Sequence, residues 1–124
     1  MPYVIQGVGA ALGAVGVALG AFGAHALRSR ISLKLQTVFE TGVRYQMYHA
    51  LALFGVAWAA GRFAHRAVQW AGWLMTAGTL IFSGTLYLLA ITGARWWGAV
   101  TPAGGAMLIA GWALLAWGVY SARQ

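Results

Sequence analysis

Glu40 and Arg44 stand four residues apart in the one polar stretch of this chain, Phe39-Glu40-Thr41-Gly42-Val43-Arg44-Tyr45-Gln46-Met47-Tyr48-His49, and Glu40 is the only acidic side chain in 124 residues. On a helix, Glu40, Arg44 and Tyr48 share a face, and Tyr45 and His49 form a second i,i+4 pair beside it. A carboxylate one turn ahead of a guanidinium is the favourable order for such a pair, and it also suits the positive end of a helix. An ion set among apolar residues has to be paired, to cap a helix or to serve a function, because burying it alone is costly. Three kinds of chemistry fit these side chains. The pair can fix the register of two helices, the ionisable groups can line a proton or substrate path, or His25 and His49 can ligate a metal or haem.

Threading the first apolar segment antiparallel to the second puts His25 level with Glu40 and brings Tyr87 and Thr101 to the same side. The expected site is therefore a hydrogen-bonded cluster of His25, Glu40, Arg44, Tyr48 and Tyr87. His49 is expected about two turns deeper, opposite Gly16, and Glu40→Ala is expected to lower stability by stranding Arg44. His65, between Arg62 and Arg66, reads as a solvated loop residue. The chain has no cysteine and no G-x-S-x-G, H-E-x-x-H or phosphate-cradling motif, so thiol, hydrolase and nucleotide readings have no support. The reading is of a protein that is not an enzyme and that takes no cofactor and no metal.

The elements that must hold these residues are apolar. Hydrophobic residues make up 61% of the chain and charged ones 7%, whereas soluble domains carry about a quarter charged. Four membrane spans are predicted, at 3–27, 38–60, 67–92 and 101–120, each about 30 Å or longer at the rise of an α-helix. Short connections make sequential spans antiparallel neighbours. The fold class is all-α, an integral membrane four-helix antiparallel bundle, with residues 1–124 as a single domain. The net charge of +7 comes from residues lying between the apolar runs, which argues for a lipid bilayer as the partner and against nucleic acid. The first span has no Lys or Arg ahead of it, unlike a cleaved signal peptide.

Boundary signals place a capping box at Thr37-Val38-Phe39-Glu40, a capped start at Thr101-Pro102, and terminal glycines at Gly61 and Gly93. Trp58, Trp70, Trp73, Trp96, Trp97 and Trp117 fall near span ends, as an aromatic belt does, and Trp112 lies mid-span. Gly9, Gly13, Gly16, Gly20 and Gly23 step by four, three, four and three, and Gly104, Gly111 and Gly118 repeat every seven. Such stripes let helix backbones approach closely, within the chain or against another subunit. Counting Lys and Arg, the odd loops carry Arg28, Arg30, Lys34, Arg44 and Arg95, against Arg62, Arg66 and Arg123 on the other side. That balance predicts both termini periplasmic.

At these same residues the chain resembles a known family. Gly20-Ala-Phe-Gly-Ala-His25, the stretch from Phe39 through His49-Ala-Leu, Phe82-Ser83-Gly84-Thr-Leu-Tyr87 and Gly98-Ala-Val-Thr101-Pro102-Ala-Gly104-Gly105 are similar to the motifs of the small membrane family called domain of unknown function 423. That family is related to transmembrane protein 256. The resemblance covers nearly the whole chain and implies a multi-pass protein of the bacterial inner membrane, or of an organelle, with no assigned activity. Two function classes follow. One is a structural or accessory element packing with itself or with a larger membrane complex. The alternative is a small carrier or channel with a polar pathway at Glu40, Arg44 and His49.

Overall fold

Apolar runs of this length can satisfy their backbone only as helices, and the computed structural model, which describes residues 2–124, contains four. They are α1 (Pro2–His25), α2 (Leu33–Arg62), α3 (Arg66–Thr92) and α4 (Trp96–Ser121). Three of them, α1, α3 and α4, are long and apolar enough to cross a membrane by length and composition. The second, α2, is the longest at 30 residues but carries the polar stretch. It lies between α1 and α3, which bury Gln46 and His49 of that stretch and leave Glu40, Arg44 and Tyr48 exposed.

Two helix starts differ from the sequence reading. Ser32 caps α2, its hydroxyl accepting from the Leu35 amide at 3.2 Å, so the helix begins ahead of the expected capping box. Thr37 is already helical and its hydroxyl donates to the Leu33 carbonyl. α4 starts at Trp96, which leaves Pro102 inside the helix and gives Thr101 a different role. Proline there removes one intrahelical donor, and the surrounding packing holds the helix regardless. Gly61 lies within α2, which ends at Arg62 with Phe63 as its C-cap. Gly93 ends α3 as expected, in the left-handed conformation at φ 71° that glycine adopts without a Cβ penalty.

The glycine stripes decide which helices touch. A Cβ on Gly9 would meet the Ala50 carbonyl at 2.9 Å, one on Gly16 the Met47 sulfur at 2.5 Å, and one on Gly23 the Phe39 ring at 2.7 Å. The whole first stripe therefore packs on α2, and the reversed order of partners makes the pair antiparallel. Gly104, Gly111 and Gly118 meet Phe82, Met75 and Val68 in the same reversed order, so the second stripe packs on α3. Both seams are filled from within the chain. Side chains small enough to let backbones meet replace the missing hydrophobic drive with close van der Waals contact.

The resulting row has α2 and α3 at its centre, α1 against α2 and α4 against α3, with α1 and α3 only lightly in touch. Ile5, Leu53, Val56, Val68 and Met75 pack one end of the bundle, and Leu27, Phe39 and Ala90 the other.

Candidate functional site

The polar side chains of the bundle make several separate interhelical hydrogen bonds, and Gln46 makes two of them. Its side-chain amide is buried, donating from Nε2 to the Leu12 carbonyl of α1 at 2.8 Å and accepting at Oε1 from the Tyr87 hydroxyl of α3 at 2.6 Å. The amide orientation is settled by these partners, since a carbonyl can only accept. Gly16 lies beside this bond, where an added Cβ would touch Nε2 at 3.4 Å. Nearby, the Ser83 hydroxyl of α3 donates to the Gly42 carbonyl of α2 at 2.7 Å. Gly42 is small because the Tyr87 ring occupies the space its Cβ would take, at 2.8 Å.

His49 joins α2 to α4. Its Nδ1 is 2.7 Å from the Tyr45 carbonyl, and the Trp112 indole donates to Nε2 at 3.1 Å. The carbonyl can only accept and the indole can only donate, so Nδ1 carries the hydrogen and Nε2 supplies a lone pair. This arrangement fits a neutral imidazole locked in one tautomer. It also gives Trp112, the one tryptophan away from the span ends, a partner. Between α3 and α4, the Thr85 and Thr101 hydroxyls lie 2.6 Å apart. Thr101 is thus a helix-to-helix bond rather than a cap.

The expected five-residue cluster does not form. Glu40, Arg44, Tyr48 and His25 are all exposed, and Tyr87 bonds Gln46 instead. Glu40 and Arg44 line an outer cleft against Gly20, Gly23 and Ala24 of α1, and no ion pair joins them among the described residues. Glu40→Ala therefore has no such pair to break. The physical reason is that α1, lacking side chains along its seam, sits close over Phe39, Val43 and Met47 and leaves the adjoining face of α2 outside. The Tyr45–His49 pair does form, with rings 6.4 Å apart and nearly parallel. His49 turns toward α4, away from α1, and it is Gln46 and Met47 that lie opposite Gly16. His25 and His49 accordingly do not face a common ligand.

Gln46, Ser83, Thr85 and Trp112 are the positions that sequence reasoning left out. The available signals were the place of Gln46 in the polar stretch and of Trp112 at mid-span. Which polar side chain faces a neighbouring helix depends on helix rotation, which the small hydrophobic contrast around these helices leaves open.

One buried polar atom, the Thr79 hydroxyl, has no partner among the described residues. Thr79 lies along a groove of about 540 Å³ between α1 and α3, walled by Val8, Leu12, Val15 and Leu80 with Gln46 at its floor. Leaving a buried hydroxyl unpaired costs about 1–3 kcal/mol, so the isosteric Thr79→Val is expected to hold or raise the melting temperature in detergent. A clear drop on thermal unfolding means that the hydroxyl has a partner.

Comparison with known proteins adds the family. The model of a family described as a protein of unknown function (DUF423) matches residues 19–105. The UPF0382 membrane protein YwdK of Bacillus subtilis is 48% identical over 114 residues, covering 91% of this chain and 91% of that protein. The UPF0382 membrane protein SH2409 of Staphylococcus haemolyticus is 46% identical over 108 residues, with 87% and 88% covered. The UPF0382 inner membrane protein YgdD of Escherichia coli K12 is 43% identical over 103 residues, with 83% and 79% covered. No solved structure matches the chain.

Proposed function

This chain belongs to the DUF423 family of membrane proteins, and from that premise we propose that it is an accessory element of the bacterial inner membrane, packing with itself or within a larger membrane complex. The location follows the name of the inner membrane relative YgdD together with the three apolar helices. One observation carries the accessory reading: apart from the Thr79 hydroxyl, the buried polar side chains between the helices are engaged in holding helices to one another, as with Gln46, Ser83, His49 and the Thr85–Thr101 pair. A carrier needs polar groups free to exchange partners with a passenger. The alternative pathway through Glu40, Arg44 and His49 draws no support from their placement, because the first two lie on an outer face and the third is bonded on both nitrogens.

Purification of the full chain in mild detergent, with mass spectrometry of what accompanies it, tests this reading. A defined homo-oligomer or a stoichiometric membrane subunit is the expected result. A lone monomer that conducts protons or ions in proteoliposomes, above protein-free vesicles, overturns it.

The orientation belongs to the same proposal. The α1–α2 and α3–α4 ends carry Arg28, Arg30, Lys34 and Arg95 outside the seam, and Arg62, Arg66 and Arg123 lie at the other end. The positive-inside rule then puts the first end in the cytoplasm and both termini in the periplasm. A phosphatase fused after Gln124 is expected to be active. A fluorescent, phosphatase-inactive fusion places the chain the other way up.

A further inference from the structure

The start of α2 and the end of α3 enclose a cleft of about 370 Å³ lined by Lys34, Leu35, Val38, Leu89, Gly93 and Arg95. Its rim is cationic from two sides, with Lys34 on α2 and Arg95 at the turn into α4, and no acidic residue lines it. The chain's single carboxylate, Glu40, lies six residues beyond Lys34, about 120° away from it around α2, and lines other clefts instead. Both cations are exposed. The N-terminal end of α2 adds the positive pole of its dipole and the first-turn amides of Leu33 and Lys34, the Leu35 amide being taken by Ser32.

Deeper in the cleft the lining changes character. Val38 lies one turn inward from Lys34, and Leu89 one turn inward from Gly93, so the wall passes from charged to apolar along the bundle axis. Gly93 contributes no side chain, and its surroundings are open. Trp96 and Trp97 stack with rings 3.8 Å apart directly after Arg95, and Trp96 is exposed. Exposed tryptophans at a span end mark the headgroup level of a bilayer. The cleft is therefore charged where phosphates lie and apolar where acyl chains begin.

From this match we infer that the cleft binds an anionic phospholipid, its phosphate between Lys34 and Arg95 and its upper acyl carbons on Leu35, Val38 and Leu89. Basic pockets between membrane helices at an interface recognise such headgroups, each cation adding a modest attraction. A soluble phosphate has no use for the apolar wall, and a zwitterionic lipid brings its own cation against Lys34 and Arg95.

Native mass spectrometry of the full chain in non-ionic detergent tests the site with phosphatidylglycerol, phosphatidylcholine and inorganic phosphate as separate probes. The expected result is retention of phosphatidylglycerol in preference to phosphatidylcholine, with no comparable retention of phosphate. Lys34→Gln and Arg95→Gln should each weaken phosphatidylglycerol binding about fivefold, and Arg66→Gln at the other end of the bundle should leave it unchanged. Equal binding of the two lipids, equal binding of phosphate, or wild-type binding by the double variant overturns the proposal. If the glutamine variants fold poorly, Lys34→Met and Arg95→Met, which keep side-chain length and remove the charge, are read in their place. Weakened phosphatidylglycerol binding then supports the site and unchanged binding counts against it.

Discussion

Gly104→Ala is expected to be the most damaging single added methyl among the helix glycines. The new Cβ would lie 2.5 Å from the Phe82 backbone nitrogen, 2.9 Å from its Cα and 2.9 Å from the Gly78 carbonyl. All three atoms belong to the α3 backbone, so no side-chain rotation relieves them and the two helices have to separate. The approach is reciprocal, because a Cβ on Gly78 would meet the Gly104 carbonyl at 3.0 Å. Overpacking typically costs 1–3 kcal/mol, and with backbone on both sides the upper end, about 3 kcal/mol, is the expected loss. Gly7 and Gly84 have nothing within 4 Å of an added Cβ. Alanine at either is expected to be neutral or to stabilise by up to about 1 kcal/mol through helix propensity, less whatever the lipid-facing setting removes. Gly16 should fall between these extremes, since its obstruction is the mobile end of Met47. Melting temperatures and folded yields in detergent give the ranking. A Gly104→Ala protein as stable as Gly7→Ala would mean that α3 and α4 do not cross here.

Gln46→Met carries the second large effect. Methionine keeps the unbranched length but removes both the donor to Leu12 and the acceptor for Tyr87. Interhelical hydrogen bonds in membrane proteins average about 0.6 kcal/mol and reach about 1.7 kcal/mol. Two such bonds, plus a stranded tyrosine hydroxyl, give an expected loss of about 2 kcal/mol. Tyr87→Phe removes one bond and leaves Gln46 held by the other, so about 1 kcal/mol is expected. The informative measurement is the double mutant. If the bond is real, Tyr87→Phe costs little or nothing once Gln46 is already methionine, and the coupling is about 1 kcal/mol. Strictly additive losses would show that the two side chains do not meet.

The packing seams and the polar site were legible to very different degrees. Gly9 through Gly23 and Gly104 through Gly118 could be read directly, because a stripe with the period of helix packing has one physical use wherever it occurs. The structure supplied the partner of each stripe, and that partner lies within the chain. The polar cluster went the other way. Spacing put Glu40, Arg44 and Tyr48 on one face of α2, and they are indeed exposed together. Which face turns inward was set by α1, whose bare seam settles over Phe39, Val43 and Met47 and carries Gln46 into the interior instead. The helix starts moved for a related reason. Thr37 and Thr101 are sound capping residues by type, but Ser32 caps α2 first, and α4 extends back to Trp96 while Thr101 bonds across to Thr85.

The sequence by itself determined that the chain is helical, apolar and closely packed, since length, hydropathy and glycine period act through the local backbone and need no knowledge of neighbours. Tertiary structure alone decided that Gln46, not Glu40, is the central polar residue, that His49 meets Trp112, and that Lys34 and Arg95 converge on one cleft. Each of these depends on how far a helix is rotated about its own axis. In a chain that is apolar on nearly every face, only contact with another helix sets that angle.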